Sequence, residues 1–111
     1  IAIIGDGGYQ MTCNELGTIL QTKAAVKIVV LNNGYLGMVR QWQELFFDKR
    51  YASTEMISPD FVKLAKAYDI EATRVSKREN LEEAIKTMIQ SKEAFFCKPY
   101  SQVKVINLNL E

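Results

Sequence analysis

Short apolar runs alternate with amphipathic segments along the chain. Residues 1–5 and the β-branched stretch 26–31 are apolar runs that end in turn-forming residues, which predicts two buried strands. Residues 70–75 and 93–97 predict a third and a fourth strand. Because amphipathic segments separate these runs, the pattern predicts an α/β domain in which a parallel sheet is covered by helices on both faces.

Apolar residues at helical spacing predict four helices among these strands. Thr12 and Glu15 have the spacing of a capping box, and the helix that follows them is expected to extend to about Lys23. A second helix is predicted over residues 36–47, followed by a polar loop over residues 48–57. The buried face of the first helix is predicted to contain Leu16, Ile19 and Leu20.

The two later helices begin at predicted caps. Ser58 followed by Pro59 predicts an N-cap with proline in the first turn, and Asn80 predicts the cap of the last helix. Spacings of three and four residues predict the buried faces, which are Phe61, Leu64, Ala65 and Tyr68 in one helix and Leu81, Ala84, Ile85, Met88 and Ile89 in the other. Residues 102–110 are apolar enough for an edge strand, without a predicted place in the sheet.

Composition changes this picture mainly by exclusion. The 111 residues are 48% apolar, enough for one core, and the net charge of +1 argues against a nucleic-acid partner. No apolar run reaches the ~20 residues that cross a bilayer. The chain has no His, which excludes catalytic triads that use His and zinc sites that have His ligands. Cys13 and Cys97 are expected to be buried thiols of a reducing compartment. Because Ile1 opens a predicted strand without a preceding Met, we expect the chain to be part of a longer protein.

Polar, glycine-containing stretches follow the first two predicted strands. They are GDGG at residues 5–8 and NNG at residues 32–34. The carboxyl ends of parallel strands lie at the same end of a sheet, where α/β proteins bind their ligands. Each stretch taken singly is more often a plain turn, but their conjunction favours a ligand site.

The residue types in these two stretches suit a metal-bound phosphate. Carboxylate, amide and carbonyl oxygens are the ligands of Mg²⁺, and Asp6, Asn33 and a main-chain carbonyl of the turn ending at Tyr35 would supply them. Gly7 and Gly8 allow the backbone to approach a ligand closely. The residues therefore predict Mg²⁺ bridging a diphosphate.

The same stretches carry a family resemblance. GDG followed at this spacing by NN resembles the signature of thiamine-diphosphate-dependent enzymes. GDGGYQMT, ELGT, VKIVVLNNGYLGMVRQWQELFF, RY and PDFVKLAKAY further resemble the carboxyl-terminal domain of the large catalytic subunit of the acetolactate synthase (acetohydroxyacid synthase) family, over residues 1 to about 90. LGMVRQWQ is the most specific part, whereas residues 93–111 do not resemble the usual tail. The resemblance implies the three-layer thiamine-diphosphate-binding fold, incomplete in this chain.

The resemblance implies a role for each matching residue. The side chains of Asp6 and Asn33 and the carbonyl of Tyr35 would bind Mg²⁺, and the backbone N–H groups of Gly7 and Gly8 would donate to the diphosphate. The residues expected near the cofactor are Met11, Leu36, Gly37 and Met38. The substrate pocket would be lined by Met38 and Trp42.

The residues alone favour a different interpretation of the helix over residues 36–47. Met38 and Trp42 are four residues apart and share a helix face, and such apolar faces usually belong to the core. Only the resemblance places them beside a cofactor. Gln41 and Gln43 are expected to be solvated, and Arg40 is expected to be a surface cation.

The resemblance also implies a function for the parent enzyme. Acetolactate synthase condenses pyruvate with a second 2-oxoacid, pyruvate or 2-oxobutyrate, in branched-chain amino-acid biosynthesis. In that family, other domains bind most of the FAD and supply the Glu that activates the cofactor. The 111-residue chain is therefore expected to contain no catalytic residue and to be inactive alone. We expect the parent enzyme to be a homodimer or higher oligomer, and a regulatory subunit is left open. We expect no nucleic-acid or membrane partner, and a cytoplasmic or plastid location.

Two alternatives stay open at this point. Another thiamine-diphosphate carboligase, decarboxylase or oxidase would share GDG and NN, although the stretch Met38–Gln43 argues against it. A non-catalytic, flavodoxin-like α/β module that binds a phosphate ligand or a partner protein would share the alternating pattern of strands and helices.

Overall fold

Four parallel strands form one sheet in the computed structural model, which describes residues 1–99. The strands are β1 (Ala2–Gly5), β2 (Lys27–Leu31), β3 (Glu71–Arg74) and β4 (Phe95–Lys98), and their order across the sheet is β1-β2-β4-β3. All three pairings are parallel. The four strands predicted over residues 1–97 and the parallel sheet are confirmed. The prediction that residues 1–5 form a buried strand is wrong, because β1 lies at an edge of the sheet and Ile3 is exposed. The edge strand predicted over residues 102–110 lies outside the described residues.

Within the described residues, five α-helices lie between and around the strands. They are α1 (Asp6–Thr12), α2 (Leu16–Thr22), α3 (Gly37–Phe46), α4 (Phe61–Ala67) and α5 (Leu81–Gln90). Single 3-10 turns precede α2 and α5, at Cys13–Glu15 and Arg78–Asn80. Within residues 1–99, no helix combines the length and the apolar character needed to cross a membrane.

The helices pack on both faces of the sheet, as the alternation predicted. Phe95 and Phe96 are neighbours in β4 and point to opposite faces, since side chains alternate along a strand. On one face Phe96 packs with Tyr9 of α1, with α2 and with Phe61 of α4. On the other face Phe95 packs with Met88 of α5 and with Val75 and Cys97. The domain is therefore a three-layer α/β structure.

The prediction of a turn or loop at the turn-forming residues GDGG is wrong, because α1 begins at Asp6 directly after β1. Glycines lower helix propensity, which is why the sequence indicated a loop. Tertiary packing overrides that preference. Tyr9 is buried, with its ring 5.0 Å from that of Phe61 and 5.4 Å from that of Phe96.

The predicted capping box does not form. Thr12 is the last residue of α1, and its hydroxyl donates to the Gly8 carbonyl one turn earlier at 3.1 Å. The Glu15 carboxylate instead accepts a hydrogen bond from the Thr18 hydroxyl at 3.0 Å. The helical path is nearly continuous from α1 into α2, so this point of the chain offers no free helix start to cap.

The predicted caps of the later helices also need correction. Asp60, and not Ser58, caps α4, since its carboxylate accepts from the backbone N–H groups of Val62 and Lys63 at 3.1 and 3.3 Å. Asn80 occupies the N-cap position of α5 without a capping side-chain hydrogen bond. The 3-10 turn before α5 places the Asn80 backbone in a helical conformation, which explains why its side chain does not cap.

Both cysteines are free thiols, but they differ in burial. Cys97 is fully buried in β4, and its burial raises the pKa of the thiol. Cys13 is only half-buried, so the expectation of two buried thiols holds for Cys97 alone. The Cys13 sulfur lies 3.5 Å from the Gln10 carbonyl, to which it donates.

Candidate functional site

The two polar stretches meet at the carboxyl end of the sheet. Gly5 and Leu31 are register partners, so the residues that follow β1 and β2 emerge side by side. The backbone N–H of Gly34 donates to Oδ2 of Asp6 at 2.9 Å. The predicted neighbourhood of Asp6 and the NNG turn is therefore present as a direct contact.

Asp6 is a buried carboxylate held by neutral donors. Asp6 is 1% exposed, and its Oδ2 also accepts a hydrogen bond from the Ser58 hydroxyl at 3.3 Å. Within residues 1–99, none of the ion pairs involves Asp6. A buried carboxylate is costly without a compensating cation, so this position fits a bound metal ion.

Asn33 and Tyr35 flank the Gly34 amide that contacts Asp6, and each carries a further oxygen. The side-chain oxygen of Asn33 accepts from the backbone N–H of Tyr35 at 3.0 Å, which closes a tight turn around Gly34. Gly34 adopts a positive φ of 75°, a conformation that favours glycine. Tyr35 pairs with Glu55 in an antiparallel bridge whose hydrogen bonds use the Gly34 carbonyl and the Leu36 N–H, so this bridge leaves the Tyr35 carbonyl unused.

The donor set has the character of a magnesium site rather than a transition-metal site. Residues 1–99 contain no cluster of three His, Cys, Asp or Glu side chains that could hold a metal. One carboxylate, one amide oxygen and one backbone carbonyl would fill half of an octahedral shell and leave the other half to phosphate and water, an all-oxygen set that suits Mg²⁺. Asp6, Asn33 and Tyr35 therefore fit the metal predicted from the sequence.

Gly7 is the glycine that the packing requires. A Cβ at this position would lie 2.6 Å from Cδ2 of Leu36 and 3.2 Å from the sulfur of Met56. Gly8 is exposed, and a Cβ there would meet only the Ile4 side chain, at 3.3 Å. The start of α1 thus lies against the segment that follows β2, and no space is left for a side chain at Gly7.

A third segment completes the site, and no motif in the sequence indicated it. Within the polar loop, the Thr54 carbonyl accepts from Leu36 N–H, and Met56 N–H donates to the Gly34 carbonyl, both at 2.8 Å. Thr54 is buried, and Ser58 reaches Asp6. We call residues 54–58 the bridging segment. Its hydrogen bonds join positions far apart in the sequence, so no local pattern identified it.

Arg40 is not the plain surface cation that the sequence indicated. Its guanidinium carbon lies 4.4 Å from the ring centroid of Tyr35 and 4.1 Å from that of Tyr51. Such cation–π contacts join α3 to both the site turn and the loop that follows the helix. The arginine therefore ties the turn at Tyr35 to the loop at Tyr51.

The predicted cofactor and pocket residues on the helices lie at the surface. Met11 on α1 is 73% exposed, and Met38 and Trp42 on α3 are 71% and 56% exposed. Helix α3 has no buried residue, so the interpretation of its apolar face as core is wrong for residues 1–99. Leu36 and Gly37 are half-buried at the start of α3, beside the turn. None of the hydrogen bonds within the described residues connects Met11, Met38 or Trp42 to Asp6.

Comparison with known proteins points to one family. Residues 1–98 match the family described as "Thiamine pyrophosphate enzyme, C-terminal TPP binding domain". The acetolactate synthase large subunit of Porphyra purpurea is 47% identical over 88 residues, which cover 78% of this chain and 15% of that protein. The mitochondrial acetolactate synthase of Schizosaccharomyces pombe is 49% identical over 92 residues, covering 83% of this chain and 14% of that protein.

A solved structure agrees with the sequence relatives on the fold. It is the thiamine diphosphate-dependent 4-hydroxybenzoylformate decarboxylase of Rhodococcus jostii RHA1, with a TM-score of 0.82 and 26% sequence identity. The match covers 89% of this chain and 19% of the decarboxylase chain. The chain thus spans about a sixth of the length of the curated relatives it matches. In the acetolactate synthase isozyme 2 large subunit of Escherichia coli, for example, the match covers 17% of that protein.

Proposed function

The chain belongs to the thiamine pyrophosphate enzyme family, as a C-terminal TPP-binding domain, and from this premise we propose that it binds the diphosphate of the cofactor through Mg²⁺ within an acetolactate synthase. Thiamine pyrophosphate and thiamine diphosphate are the same molecule. The observation that carries the proposal is the contact between the buried Asp6 carboxylate and the NNG turn.

Metal binding is supported by the electrostatics of Asp6. Its two hydrogen-bond donors, the Gly34 amide and the Ser58 hydroxyl, are neutral, so neither compensates the buried charge. We propose that Mg²⁺ does so, bound by the Asp6 carboxylate, the Asn33 amide oxygen and the Tyr35 carbonyl. When bound, the cofactor stabilises negative charge on the carbonyl carbon of a 2-oxoacid after carbon dioxide leaves.

Diphosphate binding is supported by the beginning of α1. The first N–H groups of a helix have no partner within the helix, and those of Gly7 and Gly8 lie in the turn that starts at Asp6. We propose that these amides would donate to the diphosphate of the cofactor, with Asp6 as a ligand of its metal. A side chain at residue 7 would collide with Leu36, which agrees with glycine at this position.

Substrate recognition is proposed for the exposed apolar face of α3. Met38 and Trp42 are separated by one helical turn, and the Trp42 ring lies 5.3 Å from that of Phe46. We propose that Met38 contacts the cofactor and Trp42 selects the second 2-oxoacid by shape, with other parts of the enzyme completing the pocket. Met11, Leu36 and Gly37 are proposed to lie beside the cofactor.

The remaining machinery is proposed to come from outside this chain. The curated relatives are about six times longer than the matched region, which leaves room for further domains. We propose that these supply the Glu that activates the cofactor, most of the FAD site and the dimer contacts, with branched-chain amino-acid biosynthesis as the pathway. Accordingly, the 111-residue chain purified free of host enzyme should form no acetolactate.

The reaction itself is tested with the parent enzyme. Supplied with pyruvate, Mg²⁺ and thiamine diphosphate, it should release carbon dioxide and form acetolactate (2-hydroxy-2-methyl-3-oxobutanoate), which mass spectrometry detects. A thiamine-diphosphate decarboxylase, the class of the solved structure, would release the aldehyde without forming the new carbon–carbon bond. Aldehyde as the sole product would replace the synthase proposal by a decarboxylase.

A further inference from the structure

We propose that Ser58 is a positioning residue for the Asp6 carboxylate, and that its hydroxyl fixes which carboxylate oxygen faces the metal. This inference rests on the proposed metal site and adds a residue that the sequence motif does not contain. The Ser58 hydroxyl donates to Oδ2 of Asp6 at 3.3 Å, from a position 52 residues further along the chain.

The hydrogen bonds that Gly34 and Ser58 donate to Asp6 end on the same carboxylate oxygen. The Gly34 N–H approaches Oδ2 from the turn after β2, and Ser58 approaches it from the bridging segment. Two donors on Oδ2 hold the carboxylate against rotation about its terminal torsion, which is otherwise broad. Oδ1 is then the oxygen presented to the cation.

The chemistry of the donors suits a metal ligand. A Lys or Arg beside Asp6 would neutralise the carboxylate and compete with Mg²⁺ for it. An amide and a hydroxyl orient the group while leaving its charge for the metal. Groups that hydrogen-bond a ligating carboxylate commonly change metal affinity by about 10–100-fold when they are removed.

The position of Ser58 is itself secured from both sides. Before it, Met56 N–H bonds the Gly34 carbonyl, so the bridging segment follows the turn whose amide also contacts Asp6. After it, Pro59 restricts the backbone, and the Asp60 carboxylate caps α4. The hydroxyl is therefore delivered by a segment tied to two other elements rather than by a free loop.

The test measures Mg²⁺ affinity in the parent enzyme with thiamine diphosphate present, by calorimetry. Ser58→Ala should weaken Mg²⁺ binding about tenfold, whereas Ser58→Thr, which keeps the hydroxyl, should bind within about threefold of the unmodified protein. Ser76→Ala is the matched control, because Ser76 is exposed beyond the end of β3. The unfolding temperature of the metal-free protein should be the same for Ser58→Ala and Ser76→Ala.

Asp6→Asn separates failure of this inference from failure of the proposed function. If Asp6→Asn binds Mg²⁺ as well as the unmodified protein, the metal site itself is wrong. If Asp6→Asn loses binding while Ser58→Ala matches Ser76→Ala, the metal site stands and the positioning role of Ser58 is overturned. A lower metal-free unfolding temperature for Ser58→Ala with unchanged Mg²⁺ affinity would also overturn it, since the serine would then serve only structure.

Discussion

The backbone N–H of Gly34 donates a 2.9 Å hydrogen bond to Oδ2 of Asp6, across 28 residues of sequence. This bond joins the two halves of the GDG and NN motif, one at the start of α1 and the other in the turn after β2. Because the carboxylate is buried, its orientation depends on the turn, and the turn depends on it. The two halves therefore act as one unit, and a change in either should disturb the other.

Two helical glycines should respond to alanine in opposite directions. Gly7→Ala should destabilise the protein by about 1–3 kcal/mol, because its Cβ would lie 2.6 Å from the Leu36 side chain. Gly17→Ala in α2 should stabilise it by about 0.5–1 kcal/mol, because its Cβ would meet only Tyr68, at an ordinary 3.8 Å. Chemical denaturation of both variants measures the difference. Equal effects of the same sign would contradict the close contact at Gly7.

Arg40→Ala should loosen the loop after α3. The guanidinium lies over the rings of Tyr35 and Tyr51, and each exposed cation–π contact is worth about 0.5–1 kcal/mol. Faster hydrogen exchange at the amide of Tyr51 would report the loss. Arg78→Ala, which removes an arginine from the 3-10 turn before α5, is the control and should leave that exchange unchanged. Identical exchange of the Tyr51 amide in Arg40→Ala and Arg78→Ala would refute the role of Arg40 in holding this loop.

The ion pair between Asp60 and Arg74 should make stability depend on acid pH. The hydrogen bond from Arg74, reinforced by the α4 amides, lowers the pKa of Asp60 below its usual value. A lowered pKa stabilises the folded state above the unfolded-state value of about 4, and this contribution is lost as the pH falls through the folded-state pKa. Asp60→Asn should therefore be less stable than the unmodified protein at pH 7, and the gap should be smaller at pH 3 than at pH 7. Urea denaturation at the two pH values measures it, and a gap that widens in acid would contradict the pairing.

Tyr9 should make stability depend on alkaline pH. Within residues 1–99 its buried hydroxyl has no hydrogen-bond partner, and burial, with smaller effects of Cys13 and Tyr68, raises its pKa from 10.0 to about 12. A raised pKa stabilises the folded state below pH 10, and this contribution is lost between pH 10 and 12. Tyr9→Phe should therefore be at least as stable as the unmodified protein at pH 7 and clearly more stable at pH 11. Equal losses of stability in both proteins on going to pH 11 would show that Tyr9 is not responsible.

The sheet was predictable because each strand carries its own local signal. The β-branched run around Val30 and the apolar run around Phe96 are long enough to identify buried strands without knowing their partners. Helix starts were less predictable. The starts at Asp6 and Phe61 depend on contacts with Gly34 and on the Asp60 cap, whereas the local pattern favoured a loop and a serine cap.

The site was predictable only where its residues follow strands. Asp6 and Asn33 could be paired because parallel strands end together, which is a rule of topology. Ser58 could not be paired, since an irregular segment carries it to Asp6 and its neighbours resemble a helix cap. The exposed face of α3 was misjudged for a related reason. Periodicity shows that Met38 and Trp42 share a face, but it does not show what covers that face.

The central claim is that Asp6 and the turn after β2 bind thiamine diphosphate through Mg²⁺. The most direct measurement is calorimetric titration of the parent protein with thiamine diphosphate, with and without Mg²⁺, comparing Asp6→Asn with Glu71→Gln. Both variants remove one carboxylate charge, but Glu71 is exposed at the opposite end of the sheet. We expect Mg²⁺-dependent binding in the unmodified protein and in Glu71→Gln, and its loss in Asp6→Asn although that variant remains folded. Unchanged, Mg²⁺-dependent binding by folded Asp6→Asn would contradict the account.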